Sequence, residues 1–125
     1  MQQTIAVLRC HEPANVDPAP VRAFADSHTS AEVEDMICRA LEDIALRLDR
    51  LQAARLAGAF EEFDSSARRI AVIAEGLGLS DVACAARHVG NAASSQSAVA
   101  VAATLTRLER CFDAGISAVW DAQWM

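Results

Sequence analysis

The sequence predicts an all-α protein: an antiparallel up-down four-helix bundle preceded by an extended N-terminal arm and a short extra helix. Three observations predict it. Apolar residues recur every three or four positions from Val33 to Val119, the spacing of a helix with one buried stripe. All three prolines lie at or before Pro20, so the remaining chain is free of the strongest helix breaker. Breaks near Gly58, at Gly78 and over 91–97 divide the pattern into four stretches joined by short links, which favours antiparallel neighbours.

In chain order, residues 1–20 form the arm and 21–125 the bundle. His11, Pro13, Asp17, Pro18 and Pro20 mark the arm as extended, with Thr4 to Leu8 as an apolar strap across the bundle. Val21 to Asp26 fits a short helix with Pro20 as its first residue. Thr29 and Glu32 then have the spacing of a capping box. The stripe that follows runs Val33, Ile37, Ala40, Ile44, Leu48 and Leu51. A tight turn is expected near Gly58, with one continuous helix through it as the competing reading.

The second long helix carries Leu56, Phe60, Phe63, Ala67, Ile70, Ala74 and Leu77 on one seam, and Gly78 ends it as a residue able to take positive φ. Ser80 is the expected N-cap of the third, with Asp81 in its first turn and Val82, Ala86, Val89 and Ala93 facing inward. Asn91 to Ser97 reads as a polar connection. Val101, Leu105, Leu108, Phe112, Ile116 and Val119 form the last stripe, and Trp120 and Trp124 close the chain.

Composition narrows the function classes. A chain of 125 residues with 53% hydrophobic and 22% charged residues suits one globular domain. Its net charge is −6 and it contains no Lys, so without a basic cluster it is a poor ligand for nucleic acid. No run approaches the roughly 18 to 20 apolar residues of a membrane span, and Thr4 to Leu8 is too short for a secretory core. Cys10, Cys38, Cys84 and Cys111 are widely spaced. They could pair in three ways, but reduced, buried cysteines in a cytoplasmic protein are the expectation.

No enzyme or cofactor motif emerges. Cys84 and His88 are four apart on one helical face, yet a structural zinc wants four ligands, and Cys10, His11, His28 and Cys111 are scattered; no metal site is expected. No nucleophile–base pairing surrounds a Cys or Ser. Gly76-Leu77-Gly78 lacks the strand and the further glycine of a phosphate loop. Glu61 and Glu62 read as solvated charges.

One resemblance is informative. Gly58-Ala59, Phe63, Ala67-Arg68-Arg69-Ile70-Ala71-Val72-Ile73-Ala74 and Leu77-Gly78, followed by Val82-Ala83, Ala86 and Val89, are similar to the histidine-containing phosphotransfer (HPt) domain family. That family passes phosphoryl groups between receiver domains. Its pattern is a Gly-Asp turn, an apolar residue, Ala-His-x-Leu-Lys-Gly-Ser-Ala and a Leu-Gly ending. The resemblance implies a four-helix bundle, with Arg68 at the phosphoacceptor position, Ala71 in place of the Lys and Val72 in place of the Gly. A guanidinium stays protonated and offers no lone pair for attack on phosphorus.

The resemblance therefore implies a non-catalytic module that docks response-regulator receiver or histidine-kinase domains. Its expected docking face is Glu61, Asp64, Arg68, Arg69, Val72 and Glu75, with an Asp64–Arg68 i,i+4 pair. His88, beside Arg87 and Gly90, is the alternative phosphoacceptor. A homo-oligomer built through Val72 and the Trp120/Trp124 tail is the third reading.

Overall fold

Five helices follow from these signals in a computed structural model that describes residues 15–122: α1 (Ala19–Ala25), α2 (Ser30–Ala57), α3 (Phe63–Gly76), α4 (Ser80–Ser94) and α5 (Ala98–Asp121). Helix α2 packs on α3, α3 on α4, α4 on α5, and α5 returns to α2, while α1 lies against α2 and α3. The backbones of the diagonal pairs among the four long helices do not come close. That cyclic order, with short links, is an up-down bundle. The Thr4 to Leu8 strap and Trp124 lie outside the described residues.

Each boundary has a local cause. Thr29 and Glu32 close the capping box: the Glu32 amide donates to Thr29 Oγ1 at 3.2 Å and the Thr29 amide to Glu32 Oε1 at 2.8 Å. Thr29, through its backbone amide first and its hydroxyl second, holds the Glu32 carboxyl below the usual glutamate range, and His28 adds a favourable charge. At the other end of α2, Gly58 takes φ +70°. Its amide donates to Arg55 O at 3.2 Å and the Ala59 amide to Ala54 O at 2.9 Å, the hydrogen-bond pair of a Schellman ending. The chain turns there, and the continuous-helix alternative is excluded.

The same device ends α3 at Gly78, φ +76°, with Gly78 N–H donating to Glu75 O at 3.0 Å and Leu79 N–H to Ala74 O at 2.9 Å. Gly78 is also a docking point for the arm. The Asp17 amide donates to Gly78 O at 2.9 Å, and a Cβ built on Gly78 would stand 1.8 Å from Asp17 O. The Asn15 amide reaches Asp81 Oδ2 at 3.4 Å, and half-buried Val16 packs on the core. Two separate demands, positive φ and close backbone approach, thus fall on one glycine.

The inward residues form one core. Val33, Ile37, Ile44, Leu51, Phe63, Ile70, Val82, Val89, Val101, Leu105, Leu108 and Val119 are buried, and no charged or polar side chain is buried among the described residues. Helix α4 supplies mostly small groups: Ala83, Ala85, Ala86, Gly90, Ala92 and Ala93 are all buried. Small side chains let α3 and α5 approach α4 closely, so α4 has the most extensive packing of the bundle.

Several sequence expectations are corrected. Helix α1 begins at Ala19 with Pro18 as its N-cap, so Pro20 is its second residue and not its first. Leu56 and Phe60 do not continue the α3 seam. Leu56 lies in the last turn of α2 and is 77% exposed, and Phe60 sits in the turn that follows, edge-on to Phe63 at 5.2 Å between ring centroids. In α2, Leu41 is buried while Ala40 is only half-buried. Leu79, not Ser80, is the N-cap of α4, and Ser80 is its first helical residue. Ser94 and Ser95 bond back to Gly90 O (3.2 Å) and Ala92 O (2.6 Å), and Ala92 and Ala93 are buried. The helix therefore continues through most of the polar stretch taken as a loop. The cysteines are less buried than expected: Cys38 and Cys84 are exposed and Cys111 is half-buried, while Cys10 lies outside the described residues.

The helix ends give three expected outcomes. Gly78→Ala combines an L-residue penalty at positive φ with a clash against Asp17 O, so chemical denaturation will show a loss of about 2–4 kcal/mol. Gln96, by contrast, holds φ +58° just after α4 without being glycine. Gln96→Gly will raise stability by up to about 1 kcal/mol in the same measurement. The capping box adds a pH dependence. Because the folded-state value of Glu32 is lowered, its contribution is present at neutral pH and is lost as pH falls through that value. Thr29→Ala will cost about 1 kcal/mol at pH 7 and flatten the acid limb of the stability–pH curve.

Candidate functional site

The solvent side of α3 is set by the residues left over once its seam is buried. Phe63, Ala67, Ile70, Ala71 and Ala74 face the core. Asp64, Arg68, Val72 and Glu75, spaced by three or four, share one flank beside that buried stripe, and all four are exposed. Glu61, in the turn before the helix, and Arg69, beside Arg68, are exposed as well. The structure thus leaves open the whole face named from the sequence. No described part of the arm covers Arg68, whose side chain is 72% exposed.

Charge pairing organises that face. Arg68 Nη2 donates to Asp64 Oδ2 at 2.6 Å, the i,i+4 pair expected from the sequence. Glu75 pairs with Arg87 across to α4. Between the two helices runs a groove of about 270 Å3 lined by Asp64, Ala67, Arg68, Ala86, Arg87, Gly90 and Asn91. Gly90 is what brings Asp64 near α4: a Cβ there would meet Asp64 Oδ1 at 3.2 Å and Ala67 Cβ at 3.8 Å.

Arg87 and Gly90 enter the sequence reading only as neighbours of His88, and Asn91 only as part of a loop. The signal that could have found them is the small pair Ala86 and Gly90, flanked by Arg87 and Asn91 four apart. That is a close-packing stripe with a polar rim. His88 itself is exposed on α4, with its Nε2 3.9 Å from Cys84 Sγ. It stands one residue, about 100° of helix, from Arg87, so the two do not point into the groove together. Among the described residues, no cluster of three or more His, Cys, Asp or Glu could hold a metal ion.

The remaining thiols and rings are accounted for locally. Burial pushes the Cys111 thiol up, with Asp81 and Cys84 adding to the shift and Arg107 opposing it. His28 stacks on Phe24 at 3.7 Å, and its Nδ1 lies 2.7 Å from Phe24 O, so it belongs to the α1–α2 corner. Val72 and Trp120 are 55% and 43% exposed, but they lie on α3 and α5, diagonal helices whose backbones do not come close. They do not make one continuous apolar patch. No described helix is long and apolar enough to cross a membrane.

Comparison of the chain with protein-family models, with curated proteins and with solved structures finds no match.

Arg68 can be varied without disturbing the fold. Both partners of its ion pair are more than half exposed, and such pairs contribute only a few tenths of a kcal/mol. Arg68→Ala will therefore shift unfolding free energy by less than about 0.5 kcal/mol, as read by urea titration. A larger loss would assign Arg68 to the scaffold rather than to an open face.

Proposed function

We propose that this chain is a non-catalytic HPt-like interaction module of a two-component phosphorelay, docking receiver or histidine-kinase domains through the open face of α3. One observation carries the reading. Arg68, aligned with the phosphoacceptor, projects from the first half of α3 onto an unobstructed face of an up-down bundle. A histidine there would be free to take a phosphoryl group. A guanidinium has no lone pair to attack phosphorus, so the position keeps its exposure without the chemistry.

A fixed positive charge at that place suits an acidic receiver pocket, and the neighbouring side chains supply the rest of the contact. Val72 gives an exposed apolar group; Glu61 and Glu75 give a charged rim that discriminates among partners. Val72 also stands where the family has Gly, which adds bulk to the middle of the face. Partners are held by surface complementarity instead of by phosphoryl exchange.

The test uses the purified chain with receiver domains of the same genome. Calorimetric titration should find at least one that binds, and the double variant Arg68→Ala/Arg69→Ala should weaken it about tenfold or more. Incubation with phosphorylated receivers should leave the chain unlabelled. Acid-labile phosphorylation abolished by His88→Ala would replace this reading with active phosphotransfer from a displaced histidine. Concentration-dependent assembly in light scattering, with no receiver bound, would favour a helical oligomerisation unit.

A further inference from the structure

The groove between α3 and α4 already contains an anion supplied by the chain itself. Asp64 bonds Arg68 through Oδ2, while its Oδ1 faces Gly90 on the other wall. The floor beneath is Ala67, Ala86 and Gly90, which offers no hydrogen-bonding side chain. The rims carry Arg68 from α3 and Arg87 with Asn91 from α4. A guanidinium has five N–H donors, and each arginine has one carboxylate partner, Asp64 for Arg68 and Glu75 for Arg87.

Neither pair is locked. The four side chains are exposed by 72% and 58% in the Arg68–Asp64 pair and by 54% and 52% in the Arg87–Glu75 pair. Exposed pairs gain little from their association, so an outside carboxylate can replace an inside one at small cost. A groove of about 270 Å3 has room for the head of an incoming side chain. Charge sets the sign of the guest. The chain is −6 overall, but Arg68 and Arg87 both line this groove, one on each wall.

We infer that the α3–α4 groove is a two-arginine clamp for one carboxylate of an acidic partner protein, and that Asp64 and Glu75 occupy its arginines as internal competitors in the free chain. The identity of the partner rests on the docking function proposed above; the clamp does not. Binding is an exchange of salt bridges, in which the incoming carboxylate spans Arg68 and Arg87 and the two internal acids turn out to solvent. Removing an internal acid therefore strengthens binding. A surface that merely attracts through its ion pairs would show little change.

The experiment titrates a hexa-aspartate peptide into the full chain at about 0.1 M salt, where the Debye length of about 10 Å confines the effect to nearby charges. Arginine Nε–Hε resonances report the site. Arg68 and Arg87 should move first among the 11 arginines. The near-isosteric variants Asp64→Asn and Glu75→Gln should each tighten binding about two- to fivefold, while Arg68→Ala and Arg87→Ala each weaken it at least about threefold. Equal shifts across all arginines, or unchanged affinity in both amide variants, would overturn the clamp. Repeating the series with a receiver domain separates the two claims. Receiver binding indifferent to Asp64→Asn and Glu75→Gln removes the clamp and leaves the docking face. A peptide response as expected with no receiver bound keeps the clamp and removes that choice of partner.

Discussion

The close seam between α3 and α4 is the constraint on which the rest of this structure depends. It is made from residues with little or no side chain: Ala67, Ala71 and Ala74 on one helix, Ala83, Ala86 and Gly90 on the other. Small residues bury little apolar area each, but they let two backbones approach, and dispersion across a tight seam compensates. The seam also fixes the outer edges. Once Ala67 and Gly90 are in contact, Arg68 and Arg87 must flank the same groove, and Asp64 must lie against α4. Function, on this account, is a by-product of how closely two helices pack.

The turn at Gly78 holds that seam in register and ties the arm to it. Positive φ reverses the chain in three residues, and the missing Cβ admits the Asp17 carbonyl. The arm is therefore part of the scaffold at least from Asn15 onward. It is fastened at the closed end of the α3–α4 hairpin, away from Asp64 and Asn91 at the open end. That separation keeps the described arm clear of the groove.

Much of the fold was legible in the sequence because its signals are local. The Thr29/Glu32 box, the Gly58 and Gly78 endings and the three-and-four spacing of Val33 to Leu51 each report the backbone within a turn or two. The errors have two causes. Leu56 and Phe60 fit a heptad across a turn that a Schellman ending had already closed, and Asn91 to Ser94 look polar while Ala92 and Ala93 hold them in a buried helix. At Leu56 and Phe60 a local helix ending overrode the heptad, and at Asn91 to Ser94 tertiary burial, invisible to local pattern, decided the outcome. The site was half legible for the same reason. Periodicity on α3 gathers Asp64, Arg68, Val72 and Glu75 onto one face, but only packing brings Arg87 and Asn91 from another helix to join it. The cysteines show the complementary failure, since residue type suggested burial that Cys38 and Cys84 do not have.

The proposed docking role rests on Arg68, a guanidinium with no lone pair for phosphorus, standing exposed on the open flank of α3. The most direct test is hydrogen–deuterium exchange of the full chain with and without a bound receiver domain. The account predicts added protection concentrated in residues 61–75 and 86–91, with α2 and the outer face of α5 unchanged. Protection confined to α2 and α5, or none on α3, would contradict it.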